Sequence, residues 1–427
     1  MTASPAVPSI VPAERAAPVR PTQRVQTIDV LRGFALLGIL LVNMELFTNS
    51  LYAMVNGMLP IHGPLDQAAR WFVTFAAEGK FYSTFSFLFG LGMAIQYARA
   101  QERGVNFVPL WLRRMGALLI IGLIHAYLIW VGDILIAYAV FGVILLLFFR
   151  NRKPRTLLIW SLICLLIPLL INLGLWGMIE LGRMTPEGAE MIDQVFVEQT
   201  QIMADQMVQA DTVYATGSFG EITSQRVRDM NFMFTTWPFI AFNVLAMFLL
   251  GLYAGKRRIF FAIDEHLPLI KRVFVWGLII GVLGNGLYVT MIQDVSRNIP
   301  SGQLMLALLG QTYGAPALAL AYMSGLTLLF RTQTGQRLLT PLSYVGRMAL
   351  TNYLLQSLIC TLIFYSYGLG RYGSVGAAAG LGLAVVIYLL QIPWSVWWLG
   401  RFRFGPMEWL WRWITYGKRP AMTLAAE

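Results

Sequence analysis

The sequence predicts an all-α fold, a polytopic membrane helix bundle of about ten transmembrane helices with the N- and C-termini cytoplasmic. Composition is the first reason. Hydrophobic residues fill 57% of the 427 positions and charged residues only 12%, whereas charged residues approach about a quarter of a soluble protein. The second reason is that apolar runs of membrane-spanning length recur along the whole chain. The net charge of +11 therefore indicates basic cytoplasmic loops, and we expect no nucleic-acid partner.

The chain divides into three predicted parts. Residues 1–23 are rich in Pro and Ala and form a disordered cytoplasmic tail, residues 24–404 form the transmembrane bundle, and residues 405–427 form a cytoplasmic interfacial helix and tail. The predicted spans are 28–47, 80–99, 108–130, 133–149, 156–178, 236–254, 271–292, 303–330, 342–367 and 374–398. Residues 66–78 are too short and polar to be counted as a span.

Basic residues set the predicted orientation. They are enriched in alternate loops, which is typical of cytoplasmic loops. The outer segment 179–235 is instead acidic and amphipathic, so we expect helices lying over the outer face. The predicted cytoplasmic loops contain Arg99, Arg103, Arg150, Arg152, Lys153, Arg155, Lys256, Arg257, Arg258, Arg331, Arg337, Arg401 and Arg403.

The C-terminal stretch MEWLWRWITY, residues 407–416, has the pattern of an amphipathic helix at the membrane surface. Its tryptophans favour the headgroup region, beside Glu408 and Arg412. We interpret it as an anchor.

The first long apolar helix begins with two charges. Asp29 and Arg32 are three residues apart and share a helix face within ion-pair distance. Charges in membrane helices are costly, which makes them candidate functional residues; the alternative is that the pair caps the helix at the headgroups. Asn43 adds a polar group near the other end of the helix. Gly33 and Gly38 leave room for a neighbouring helix or a ligand.

The stretch GLIHAYLIWVGDILIAY, residues 122–138, contains a candidate catalytic pair. A helical hairpin through Gly132 would return Asp133 to His125. A carboxylate on one imidazole nitrogen orients the ring and raises its basicity, as a general base requires. The alternative is a histidine that is merely hydrogen-bonded at the interface.

The stretch PLSYVGRMALTNYLLQS, residues 341–357, predicts a polar turn inside a membrane helix. Arg347 and Thr351 are spaced i, i+4, as are Asn352 and Gln356, so we expect each pair to share a face. Such a turn suits a phosphate, a carboxylate or a thioester carbonyl. Hydrogen bonding between helices is the alternative.

Motifs of soluble enzymes are absent from the sequence. There is no Walker loop, dinucleotide fingerprint, HExxH or CxxC. His62, His125 and His266 are the only histidines, and both cysteines lie in apolar runs. We therefore expect no metal site.

Four stretches resemble the YeiB-type family of bacterial inner-membrane proteins. Two of them are the stretch around His125 and the stretch around Arg347, and the others are TIDVLRGFALLGILLVN and GPMEWLWRWITY. They occur in order from the start to the end of the chain. The resemblance implies a multi-pass protein of the bacterial inner (plasma) membrane.

The opening helix is also distantly similar to the first helix of transmembrane acyltransferases, the heparan-α-glucosaminide N-acetyltransferase and acyltransferase-3 groups. This resemblance implies acyl-CoA as a co-substrate. In the acyltransferase-3 pattern, an arginine in the first helix is followed by a catalytic histidine. Counting the same interval from Arg32 of this chain reaches Asn43 instead of a histidine. The departure favours a heparan-like scheme, in which the histidine lies beyond the first helix. We prefer His125 to His62 as the catalytic histidine, because His125 lies in a motif that this chain shares with the YeiB-type family.

Two functions follow as hypotheses. The first is an acyl transferase, in which Asp29, Arg32 and Arg347 bind acyl-CoA. His125 and Asp133 would act on the hydroxyl or amine group of a small-molecule acceptor. The residues expected to assist binding are Asn43, Thr351, Asn352 and Gln356. The second is a small-solute transporter whose path the same charges line. Membrane lipid is an expected partner under both, and homo-oligomer formation stays open.

Overall fold

A computed structural model describes residues 25–293, residue 295 and residues 299–424 of the protein. The predicted N-terminal tail, residues 1–23, lies outside this range. The described chain is helical and contains no β-strand; one antiparallel bridge joins Phe402 to Thr423. The predicted all-α class is confirmed.

The first half of the described chain is a series of helices joined by short turns, and two of them continue into π-helical turns. Helix α5 continues into the π-turn His125–Ile129, and α6 continues into Leu145–Phe149. The helices are α1 Gln26–Thr48, α2 Leu51–Asn56, α3 Pro64–Ala76, α4 Lys80–Glu102, α5 Phe107–Ile124, α6 Leu135–Ile144 and α7 Pro154–Gly182.

The second half begins with two long helices, and the segment 179–235 that was predicted to lie outside contains the first of them and the beginning of the second. Ser218 caps the second of them, α9, through a reciprocal pair of hydrogen bonds with Glu221. The helices are α8 Pro186–Thr216, α9 Phe219–Lys256, α10 Leu267–Met291, α11 Gly302–Phe330, α12 Gln333–Arg347, α13 Ala349–Phe364, α14 Ala377–Leu399 and α15 Pro406–Tyr416.

The protein is a multi-pass membrane protein. Within the described residues, 6 helices are long and apolar enough to cross a bilayer: α1, α5 with its π-turn, α7, α10, α11 and α14. The count rises to 8 if α9 and the α12–α13 pair, both bent, each form one span. The two further predicted spans correspond to α4 and to α6 with its π-turn, and the number ten stays a prediction.

Helix α1 packs backbone to backbone against α12. A Cβ atom at Gly33 would collide with the carbonyl of Leu342, and one at Gly346 would collide with the carbonyl of Asp29. The Tyr388 hydroxyl of α14 donates to the Gly33 carbonyl at 2.6 Å. These contacts place the residues next to the glycines, Arg32 and Arg347, on adjoining helices at one end of the bundle.

Replacing Gly346 by alanine is expected to destabilise the protein. The added methyl group has no space between α1 and α12, and overpacking of this kind costs about 1–3 kcal/mol. Gly116→Ala is the matched control, because a Cβ there meets nothing within 4 Å. Thermal unfolding in detergent should show a lower midpoint for Gly346→Ala only; equal midpoints would contradict this packing.

Candidate functional site

A cavity of about 300 Å³ opens at the end of the bundle where α1 begins. Helices α1, α4, α5, α6, α12, α13 and α15 contribute to its wall. The feature that sets this cavity apart is its cationic lining. Five arginines line it, and these are Arg32, Arg99, Arg114, Arg347 and Arg412.

Two carboxylates share the cavity wall, and both are engaged. The Arg32 guanidinium donates to Asp29 Oδ1 at 2.8 Å, as the sequence spacing predicted. Glu408 accepts bonds from the Leu350 N–H at 2.7 Å and from the Thr351 N–H at 3.0 Å. It also accepts from the Thr351 hydroxyl at 2.6 Å. Five guanidinium groups against two occupied carboxylates leave the cavity with a net positive charge.

Helix α15 is therefore a wall of this cavity as well as a surface helix. Trp411 donates through Nε1 to the Arg114 carbonyl at 2.9 Å, and the Arg114 guanidinium lies 3.6 Å from the centre of a Trp411 ring. Arg412 lies over the ring of Phe404 at 4.6 Å. Burial raises the pKa of Glu408 and lowers the pKa of Arg412, because both charged forms lose water.

The rest of the cavity lining is largely apolar. Leu36, Ile39, Phe85, Leu88 and Leu118 belong to it. Arg32 and Ile39 are seven residues apart on α1, so the cavity extends about 10 Å along that helix. A cationic mouth above an apolar interior fits a ligand with an anionic head and a less polar arm.

His125 and Asp133 form the contact that the sequence predicted. Nδ1 of His125 lies 2.7 Å from Asp133 Oδ2, and the other carboxylate oxygen accepts from the Ile136 N–H at 2.8 Å. A carboxylate only accepts, so Nδ1 carries a proton, and in the neutral form of the ring Nε2 holds the lone pair. His125 is only 1% exposed. Its Nε2 has no hydrogen-bond partner among the described residues.

Tyr353 connects this pair to the cavity, because it lines the cavity and contacts His125. Its ring lines the cavity, and the ring centre lies 5.1 Å from that of His125. The Tyr353 hydroxyl donates to the Gly132 carbonyl at 3.1 Å. His125 and Asp133 are not part of the cavity lining, and His125 reaches it through its contact with the Tyr353 ring.

One geometric prediction was wrong. Arg347 and Thr351 do not share a helix face, because the helix breaks at Met348 and bends by 79° between α12 and α13. Arg347 lines the cavity, whereas Thr351 is bonded to Glu408. The break is stabilised by Glu408, which takes up the free N–H groups at the start of α13.

The remaining predicted binding residues lie outside the cavity. Asn352 donates to the Val345 carbonyl at 3.2 Å and to the Ser395 hydroxyl at 3.0 Å. Gln356 donates to Gln391 at 2.8 Å. These two side chains do share a face, and they join α13 to α14. Asn43 is half-buried on α1 and does not line the cavity.

Three of the five arginines are not among the predicted site residues. The predictions place Arg99 in a basic loop and Arg412 in an anchor helix, and they do not include Arg114. The available signal was an arginine inside an apolar span: Arg114 lies in the second turn of α5. Within the part of the chain that the structure describes, no three His, Cys, Asp or Glu side chains are grouped as metal ligands would be.

Comparison with known proteins shows relatives along almost the whole chain. Residues 254–418 match the family described as "Protein of unknown function (DUF418)". The chain is 37% identical over 414 residues to the uncharacterized protein YxaH of Bacillus subtilis (strain 168), covering 93% of this chain and 96% of that protein. It is 28% identical over 409 residues to the uncharacterized protein YeiB of Escherichia coli (strain K12), covering 92% of this chain and 96% of that protein.

Proposed function

This chain belongs to the YeiB-type family, and we propose that it is a membrane-embedded acyl transferase. The acyl donor is acyl-CoA, which enters from the cytoplasm. The acceptor is a small molecule with a hydroxyl or amine group, sugar-like, at the outer face. The observation that supports this most directly is the cavity of about 300 Å³ with five arginines at one end and an apolar interior that reaches Tyr353, beside His125.

The charge of the cavity suits the donor. Coenzyme A carries phosphate groups on a nucleotide and a long, mostly uncharged pantetheine arm that ends in the thioester. Arginine binds phosphate through paired, charge-assisted hydrogen bonds. The phosphates would lie among Arg32, Arg347 and Arg412, and the arm would extend along Leu36 and Ile39. The cavity volume is at the lower end for small-molecule sites, which suits the arm and leaves the nucleotide at the mouth.

The pair His125–Asp133 would carry the proton transfer. Nε2 of His125 accepts the proton of the acceptor O–H or N–H group while that oxygen or nitrogen attacks the thioester carbonyl carbon. The new bond to carbon forms and the carbon–sulfur bond breaks. The thiolate of coenzyme A leaves and takes the proton back from His125. Asp133 keeps Nδ1 protonated and stabilises the imidazolium in between.

The proposed orientation has ten spans with both termini in the cytoplasm of a bacterium, in its inner membrane. One structural observation supports it: loops predicted to be cytoplasmic meet each other. The Lys256 ammonium donates to the carbonyls of Arg150 at 2.7 Å and Arg152 at 2.6 Å. Single cysteines at Arg152 and at Val197 test it with a membrane-impermeant maleimide on intact cells. Labelling at Val197 alone is expected, and labelling at Arg152 alone would overturn it.

The function is tested with purified protein in liposomes. Acetyl-CoA labelled in the acetyl group is supplied on the side of the arginine cavity and a mixture of amino sugars and sugars on the other. Transfer of label to a sugar is expected, and a protein inactivated by heat is the control. If the protein neither binds acetyl-CoA nor transfers the label, the proposal falls. Movement of an unmodified solute without any acyl donor would favour transport instead.

A further inference from the structure

Arg226 is a fully buried arginine on α9, at 0% exposure. Its guanidinium joins two parts of the chain far apart in sequence. One N–H group donates to the Leu128 carbonyl at 3.1 Å, and another donates to the Tyr367 hydroxyl at 3.0 Å. Nε of Arg226 has no hydrogen-bond partner among the described residues.

The surroundings of Arg226 are aromatic. Its guanidinium carbon lies 5.6 Å from the ring centre of Tyr365, 5.7 Å from that of Phe219 and 5.9 Å from that of Tyr367. The nearby carboxylate of Asp229 accepts instead from Tyr214 at 2.6 Å and from Gln225. The cation is therefore stabilised by ring faces, by the Leu128 carbonyl and by the Tyr367 hydroxyl, and these two oxygen atoms fix its position.

Leu128 belongs to the π-turn that begins at His125. In that turn the Trp130 N–H donates to the His125 carbonyl at 2.7 Å, and the chain then becomes extended. Carbonyl groups at the end of a helix have no partner within the helix. Arg226 supplies the missing donor for Leu128, three residues after His125, and so fixes the end of the turn from the opposite helix.

We propose that Arg226 is a positioning residue for His125. Arg226 holds the π-turn in the conformation in which Nδ1 of His125 faces Asp133. Nε2 of His125 is then the nitrogen that acts as the base. The proposal rests on the proposed function for its catalytic meaning, since it assumes that His125 is the general base. The geometric part stands on its own: without Arg226 the turn can relax, and His125 loses its fixed tautomer.

Nitrogen NMR of the histidine side chains tests the position of His125 without any enzyme assay. The chain has 3 histidines, and His125→Gln assigns the signal. The variants are Arg226→Gln, Arg226→Lys and the control Arg228→Gln. Arg228 is exposed, lies on the same helix and donates to Gln225, with no hydrogen bond to the π-turn among the described residues. Tyr367→Phe is a milder variant that keeps the buried cation but removes one of its partners.

We expect one tautomer, protonated at Nδ1, in the unmodified protein and in Arg228→Gln, and a mixture of tautomers in Arg226→Gln. Acyl transfer in Arg226→Gln should fall by roughly 10- to 100-fold at unchanged donor affinity, as for a displaced catalytic group. In Arg226→Lys, the single tautomer of His125 and the rate of acyl transfer should both be partly restored, because an ammonium group can still donate to the Leu128 carbonyl.

The proposal would be overturned if Arg226→Gln has the same thermal unfolding midpoint as Arg228→Gln and keeps a single His125 tautomer. If Arg226→Gln does not fold, Tyr367→Phe decides: a shifted tautomer supports the proposal and an unchanged one overturns it. Absence of acyl transfer in the unmodified protein would remove the proposed function while the NMR comparison still decides the positioning.

Discussion

Arg347→Gln is expected to weaken binding of coenzyme A by about 10- to 100-fold, the loss of one charge-assisted hydrogen-bonding group on a phosphate. The Arg347 side chain lines the cavity, and its Nε has no hydrogen-bond partner among the described residues. Its guanidinium lies over the Tyr344 ring at 5.7 Å, and its Nε is available to a ligand in the cavity. Isothermal titration of the detergent-solubilised protein with coenzyme A measures the change.

Arg337→Gln is the matched control for this variant. Arg337 lies on the same helix, α12, and is exposed outside the cavity. Its loss should leave the affinity within a factor of about two, since a distant surface charge is screened by salt. Equal weakening in both variants would mean that general surface charge, and not the cavity, attracts the donor. Equal affinity of Arg347→Gln and unmodified protein would place the donor elsewhere.

His125→Gln is expected to lower the rate of acyl transfer by about 100- to 10,000-fold, the typical effect of removing a general base. Donor affinity should stay unchanged, because His125 does not line the cavity. Glutamine keeps a hydrogen-bonding group beside the buried Asp133, which avoids leaving that carboxylate unpaired. Initial rates at saturating acetyl-CoA, together with the thermal midpoint, measure the two effects separately.

His62→Gln is the control for the histidine variant. His62 is exposed, and its backbone N–H donates to Asp66, so the side chain can change without loss of that bond. We expect the rate of His62→Gln to equal that of the unmodified protein. A His125→Gln protein that is folded and retains more than half of its rate would exclude His125 as the base. A large loss in His62→Gln would move the assignment to His62.

Contacts close in sequence were predictable. Asp29 and Arg32 are separated by one helical turn, and the contact between them follows from helix geometry alone. The contact between His125 and Asp133 follows from a short turn that contains Gly132. Helix existence was predictable for a related reason: each apolar run in a membrane has to satisfy its backbone internally. None of these predictions depends on which helices pack against each other.

The break at Met348 was not predictable in this way. The residues from 342 to 367 form one largely apolar run, so local preference alone extends one helix through them. The chain bends because Glu408, from α15 far along the sequence, satisfies the N–H groups of Leu350 and Thr351. A local sequence pattern does not show that a hydrogen-bond acceptor on another helix, here Glu408 on α15, lies beside these N–H groups.

The sequence by itself determined that this is an all-helical membrane protein, and it identified the ion pair at Asp29 and the hydrogen-bonded pair at His125. Only the tertiary structure decided that Arg99, Arg114 and Arg412 join Arg32 and Arg347 around one cavity. The physical reason is that these arginines lie on five separate helices. Their convergence depends on how the helices pack, which for α1 and α12 depends on two glycines that let the backbones touch.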